Sequence, residues 1–174
     1  MAFTLLKPTG IDLSQTFAFT GTVSGAGGGK IGQVKTVEIN NNNVETGQGS
    51  DGVKTNSTSY VDVPGLTLSI TPSATSSKIL LLYHANVSNT DSEQDTNYAS
   101  IRVLRDSTTV SESTRLNGYQ YLAHDMWNMS VLDTPSSTSS LTYKIQILSG
   151  INTVYFSCPH HLNECGITLM EVLA

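Results

Sequence analysis

The chain has 174 residues, 9 Lys or Arg against 14 Asp or Glu, a net charge of −5, and only 13% charged residues. It is long enough to bury a core without disulfide or metal staples, and its acidic balance excludes the basic footprint of a nucleic-acid binder. The longest apolar run, Ile79 to Leu82, is far too short for a helical membrane span.

Hydroxyls stand where charges usually do. Ser and Thr number 22 each. Helix surfaces in water favour Glu, Lys, Gln and Arg, whereas Ser, Thr and Asn compete there for the backbone. Thr, Val, Ile and Tyr suit a half-buried pleat. The composition therefore predicts an all-β chain.

The first 23 residues mix Thr with apolar side chains, Phe3, Leu5, Leu6, Ile11, Leu13, Phe17 and Phe19, without a sustained period. Met1 to Pro8 lacks the long apolar stretch of a secretion signal, so assembly in the cytoplasm is expected. Ser24 to Lys30 carries four glycines and reads as a hinge, because glycine accepts almost any backbone geometry. A phosphate loop would need Gly at its first position and Ser or Thr after the Lys, but Ser24 and Ile31 stand there. Residues 1–32 are thus read as an arm and hinge, with Phe3, Leu5, Leu6, Ile11, Phe17 and Phe19 docking on a partner. Residues 33–174 are read as the folded domain.

Past the hinge, apolar residues recur every second position, the period of strands with one face in a core. Leu66, Leu68 and Ile70 make one row; Ile79, Leu81, Tyr83, Ala85 and Val87 make another. Lys78, His84 and Asn86 share the opposite row with Leu80 and Leu82, so this strand is apolar on both sides. Tyr119 to Leu132 fits either a strand row through Trp127, Met129 and Val131 or a helical stripe; its neighbours favour strand. Leu141, Tyr143, Ile145 and Ile147, then Val154 and Phe156, close the series. Turn residues separate the rows at Asn40 to Asn43, Pro64-Gly65, Pro72-Ser73, Asp106-Ser107, Asn117-Gly118, Pro135-Ser136 and Ser149-Gly150. The spacing predicts a sandwich or barrel of about eight to nine strands.

Candidate chemistry is thin. Cys158-Pro159-His160-His161-Leu162-Asn163-Glu164-Cys165 gathers two thiols and two imidazoles. Adjacent His residues on a strand face opposite ways, however, so a loop between paired strands Thr153–Cys158 and Gly166–Val172 is the better reading. Asp91, Glu93, Asp95 and Asn97 could gather oxygens around calcium, but the turn-forming Gly of an EF-hand is missing. An exposed loop is expected there, and Asp91, Glu93, Asp95, His160 and His161 are the candidate contact residues. His124-Asp125 lacks a nucleophile elbow, and neighbours on a strand cannot relay a proton. Tyr119, Tyr121 and Trp127 read as core or interface aromatics rather than a glycan platform. No enzyme, metal or cofactor is expected.

Four blocks together carry a resemblance. They are Leu68-Ser69-Ile70-Thr71-Pro72-Ser73-Ala74-Thr75-Ser76-Ser77-Lys78-Ile79-Leu80, Ser100-Ile101-Arg102-Val103-Leu104-Arg105, Leu132-Asp133-Thr134-Pro135 through Leu141-Thr142-Tyr143-Lys144-Ile145-Gln146, and Ile167-Thr168-Leu169-Met170-Glu171-Val172. This set, spanning about residues 55–174, resembles a β-sandwich domain of tailed-bacteriophage virion proteins, notably from cyanobacterial and marine phages. The resemblance implies a jelly-roll-like homotrimer displayed on a virion, with capsid or tail proteins as partners and no catalytic residues. The chain has no long shaft, which favours a short fibre or capsid decoration. A tail-fibre tip contacting host surface glycan is the alternative.

Overall fold

The computed structural model describes residues 30–39, 53–89, 98–116, 124–150, 154–156 and 165–173. Among them lie ten strands: β1 (Ile31–Ile39), β2 (Val53–Thr55), β3 (Val61–Ile70), β4 (Lys78–Asn89), β5 (Ala99–Arg105), β6 (Thr108–Leu116), β7 (His124–Asp133), β8 (Leu141–Ser149), β9 (Val154–Phe156) and β10 (Cys165–Val172). All pairings are antiparallel. The all-β prediction holds. His124 to Leu132 is strand, as its neighbours implied, while residues 117–123 lie outside the described set.

Two sheets form. One runs β3-β8-β5-β6; the other runs β1-β10-β4-β9-β2, with β7 on the far side of β4. In the second sheet, β9 and β10 both pair antiparallel with β4, through Phe156 on Val87 and Gly166 on His84. They therefore run in the same direction, end to end along one edge of β4. Likewise β1 pairs with β10 and β2 with β9, so β1 and β2 also lie end to end. Counting each collinear pair as one strand turns ten into eight. In chain order the sheets then hold strands 1-8-3-6 and 2-7-4-5, the jelly-roll arrangement.

This corrects two readings. Thr153–Cys158 and Gly166–Val172 were expected to pair with each other, but strands running the same way beside one neighbour cannot form a hairpin. The chain advances ten residues from Phe156 to Gly166 while β4 recedes three, from Val87 to His84. The excess of seven makes residues 157–164 an insertion within one long strand. Periodicity could not reveal this, because it gives which residues share a face and not which strands pair. Pro64-Gly65 was read as a turn between strands. It lies inside β3, at a register break between Asp62 and Thr67. Gly65 has φ +83°, and a Cβ there would meet Ile39 Cγ2 at 2.6 Å. A bulge that needs positive φ and a close approach uses the same residues as a turn. Ile31 and Gly32, read from the sequence as part of the hinge, belong to β1.

The core forms where the inner rows meet. Ile79, Leu81, Tyr83 and Ala85 of β4, with Ile167 and Leu169 of β10, pack against Leu66, Ile70, Ile101, Val103, Tyr143, Ile145 and Ile147 of the other sheet. Each fully buried Ile or Leu contributes about 1.5–3 kcal/mol relative to exposure. Trp127, Met129 and Val131 pack on this core from β7.

The sandwich has two distinct ends. Ile31 pairs with Val172, and Val172 with Lys78, so residues 1–29 join the sandwich at the end where β4 begins. Three connections close that same end, residues 71–77, 106–107 and 134–140. At the other end of β4, Ser88 pairs with His124 and Asn89 with Val154. Residues 90–97, 117–123 and 151–153 join strands there. The 12 residues of β4 separate the two ends by about 40 Å.

Candidate interaction surface

Two clasps hold the end nearest residue 30, and both use carboxylates on the inner faces. Asp133 ends β7 in one sheet; Arg105 ends β5 in the other. Arg105 Nη1 donates to Asp133 Oδ1 at 2.7 Å and Oδ2 at 2.6 Å, and the Tyr143 hydroxyl donates to Oδ2 at 2.6 Å. Burial, then the hydrogen bond to Asp133, pushes the Tyr143 hydroxyl up, so it stays a donor. Glu171 of β10 is fully buried. Its Oε1 accepts from the Ser73 backbone N–H and hydroxyl, both at 2.6 Å, and its Oε2 accepts from Gln33 Nε2 at 2.8 Å. These donors, Ser73 Oγ foremost, hold its carboxyl down to about 2 against an ordinary 4.5. The distinctive polar residues of the four sequence blocks, Ser73, Arg105, Asp133, Tyr143 and Glu171, are therefore what close the sandwich.

Sequence reasoning did not single out either clasp, yet a signal was present. Asp133 continues the row Trp127, Met129, Val131, and Glu171 continues Ile167, Leu169. A carboxylate that extends an apolar row of a strand must be paired in the core.

The outer faces differ sharply. On the β3-β8-β5-β6 sheet, register places Asp62, Gln146, Arg102 and Glu112 in one row across all four strands. Arg102 Nε donates to Gln146 Oε1 at 2.7 Å, Gln146 Nε2 donates to Asp62, and Lys144 Nζ donates to Asp62 at 3.0 Å. The Gln146 bond, ahead of the others, lowers the Asp62 carboxyl. The Arg102 guanidinium also lies 4.1 Å from the centre of the Tyr60 ring, whose hydroxyl donates to Glu112. Each residue of the row makes a side-chain hydrogen bond.

On the other sheet the equivalent row is apolar. Val34 pairs with Met170, Met170 with Leu80, and Leu80 with Leu132. Ile31 and Leu82 widen it. Exposure is 47% at Ile31, 55% at Val34, 38% at Leu82 and 56% at Leu132. Farther along the same face, Thr168, Ser130, His84 and Asn128 line a shallow depression beside Leu82. The expectation that the strand 78–87 is apolar on both sides is met: one row is core and the other is this stripe.

The residues singled out as docking or contact groups fall elsewhere. Phe3, Leu5, Leu6, Ile11, Phe17 and Phe19, and Asp91, Glu93, Asp95, His160 and His161, lie outside the described residues. Cys158 does too. Cys165 opens β10 inside the core, fully buried. His124 and Asp125 sit next to each other on β7, opposite Ser88 and Val87. No cluster of three or more His, Cys, Asp or Glu with metal-binding geometry occurs among the described residues, and no helix there is long and apolar enough to cross a membrane.

No protein-family model and no curated protein matches the chain. Among solved structures it is similar to a mutant VP2 protein of infectious bursal disease virus, at 10% identity and TM-score 0.43, over 82% of this chain and 36% of that one. The VP2 subviral particle of the same virus gives 8% identity and TM-score 0.42 over 81% and 42%. The viral particle structure gives 13% and 0.44 over 83% and 36%. The chain spans less than half the length of each.

Proposed function

We propose that this protein is a non-enzymatic structural component of a phage virion, a short homotrimeric fibre or capsid decoration. One observation carries the reading: the jelly roll is polar along its length. Residues 1–29 join at one end, beside both clasps, and the segments that include Asp91, Glu93 and Asp95 join at the opposite end of β4. A body fixed through its N-terminal arm would then present the far loops outward, about 40 Å away. The convergence of the virion-type sequence blocks on the clasps supports the same reading, since those residues serve the scaffold and no reaction. Closed sheets with paired carboxylates suit a particle that must resist unfolding outside the cell.

The arm is tested in the full chain. Replacing Phe3, Leu5, Leu6 and Ile11 by Ser should leave folding intact and abolish incorporation into virions. Normal incorporation would sink the anchoring role. Sedimentation at micromolar concentration should show a trimer, and a monomer would remove that part. Copy number separates the alternative: a decoration is abundant, whereas a glycan-binding tip occupies a few vertices.

A further inference from the structure

An apolar row that crosses four strands gains from a cover, and an uncharged segment of the same chain enters beside it. The row of Val34, Met170, Leu80 and Leu132 contains no charge; Ile31 and Leu82 widen it, and exposed Lys78, in line with Ile31 and Val172, flanks it. Its corner is where the N-terminal segment enters: the Lys30 carbonyl accepts from the Leu173 N–H at 2.6 Å, and Ile31 is both the first residue of β1 and a member of the stripe.

Residues 13–29, which lead into that corner, also carry no charged side chain. They hold Phe17-Ala18-Phe19, whose alternation sets two rings on one side of an extended chain. Four strands about 4.8 Å apart make the stripe about 15 Å wide, which five extended residues span. The nine residues from Gly21 to Gly29 reach up to about 30 Å. Four of the last five, Gly25, Gly27, Gly28 and Gly29, allow the reversal needed to come back over the sheet.

The place of entry favours this segment over a second copy. The stripe is on the order of 400 Å², the scale of the largest apolar patch on an ordinary monomer. A subunit face of about 800 Å² per partner is itself only about 56–65% apolar, so area alone admits either occupant. The tethered segment is already at the stripe's corner, whereas a second copy must be recruited from solution.

We propose that residues Thr16 to Thr20 of the same chain lie across the outer face of the β1-β10-β4-β7 sheet, with Phe17 and Phe19 on the Val34–Met170–Leu80–Leu132 stripe. Phe3, Leu5, Leu6 and Ile11 then remain for the virion partner. The inference takes Phe17 and Phe19 out of the set expected to dock on a partner, and it is read on the isolated chain, so its outcome is independent of virion incorporation.

Hydroxyl-radical labelling of the full chain, read by mass spectrometry at submicromolar concentration, tests it. Phe17→Ser with Phe19→Ser should raise labelling at Met170 and Leu132 severalfold. Phe17→Leu with Phe19→Leu should restore protection. Met129, on the inner face of β7, should not change and so reports that the sandwich is intact. Equal labelling of the stripe in parent and Ser variant would overturn the proposal. So would protection that appears only on concentrating the protein, with or without the Ser changes, since a second copy would then be the cover.

Discussion

The two outer faces of this sandwich solve one problem in opposite ways. Each presents a row of four cross-strand neighbours. Asp62–Gln146–Arg102–Glu112 ties each member into a hydrogen bond, and its remaining polar atoms are at ease in water. Val34–Met170–Leu80–Leu132 has no such outlet, and leaving it wet costs about 25 cal/mol per Å² of apolar surface. A polar face that bonds to itself needs no cover, whereas a face that leaves Leu132 and Val34 more than half exposed gains from one. The contrast marks the stripe as the surface for which a cover is proposed.

The strongest way to break the contrast is to let the two sheets part. Arg105→Ala would strand Asp133 between them. With side-chain exposures of 20% and 11%, the loss should be about 3–5 kcal/mol, the range for removing one partner of a buried pair. Urea titration measures it, and a loss under 1 kcal/mol would show that the clasp is replaceable by water.

Glu171→Gln comes next, at roughly 2–3 kcal/mol near neutral pH, from the charge-assisted bonds it gives up. This clasp also sets a pH window. The folded carboxyl titrates near 2 and the unfolded one near 4.5, so its contribution is complete above 4.5 and is lost as pH falls toward 2. Melting temperature followed between pH 6 and 2 should show this acid sensitivity in the parent and less of it in Glu171→Gln. Parallel curves would contradict the assignment.

On the polar face, Arg102→Ala removes the bond to buried Gln146 and the cover over Tyr60, for about 1–2 kcal/mol. On the apolar face, Leu132→Thr should change global stability by less than about 0.5 kcal/mol, because no core contact is lost. It should still alter labelling at Met170, which reports what covers the stripe. A large global loss from Leu132→Thr would mean that the stripe is part of the core, and the contrast between faces would fail.

The smallest effect is expected at the far loops. Asp91→Asn, Glu93→Gln and Asp95→Asn together should shift stability by under about 0.5 kcal/mol. In the tip reading they should lower adsorption to host cells. Unchanged adsorption would leave the decoration reading in place.

Much of the fold was legible before any coordinates. Alternation in residues 66–70, 79–87 and 141–147 is a local property: successive side chains on a strand face opposite ways, so apolar period two gives both the strand and its buried face. The turns at Asp106-Ser107 and Pro135-Ser136 were equally local, and both appear with positive φ, at Asp106 and Ser136. What the sequence did not contain was pairing. The bulge at Gly65 and the end-to-end placement of β9 and β10 depend on which strands become neighbours, and neighbours here lie far apart in sequence: Gln33 and Glu171 are 138 residues apart, and Ile31 pairs with Val172. The clasps and the stripe belong to that second class. Asp133 and Glu171 announced themselves as carboxylates in apolar rows, but only the closed sandwich supplies Arg105 and Ser73 to meet them. Leu80 and Leu132 are ordinary surface residues one at a time. Register between strands distant in sequence places them beside Val34 and Met170, and that alignment alone turns scattered apolar side chains into a surface.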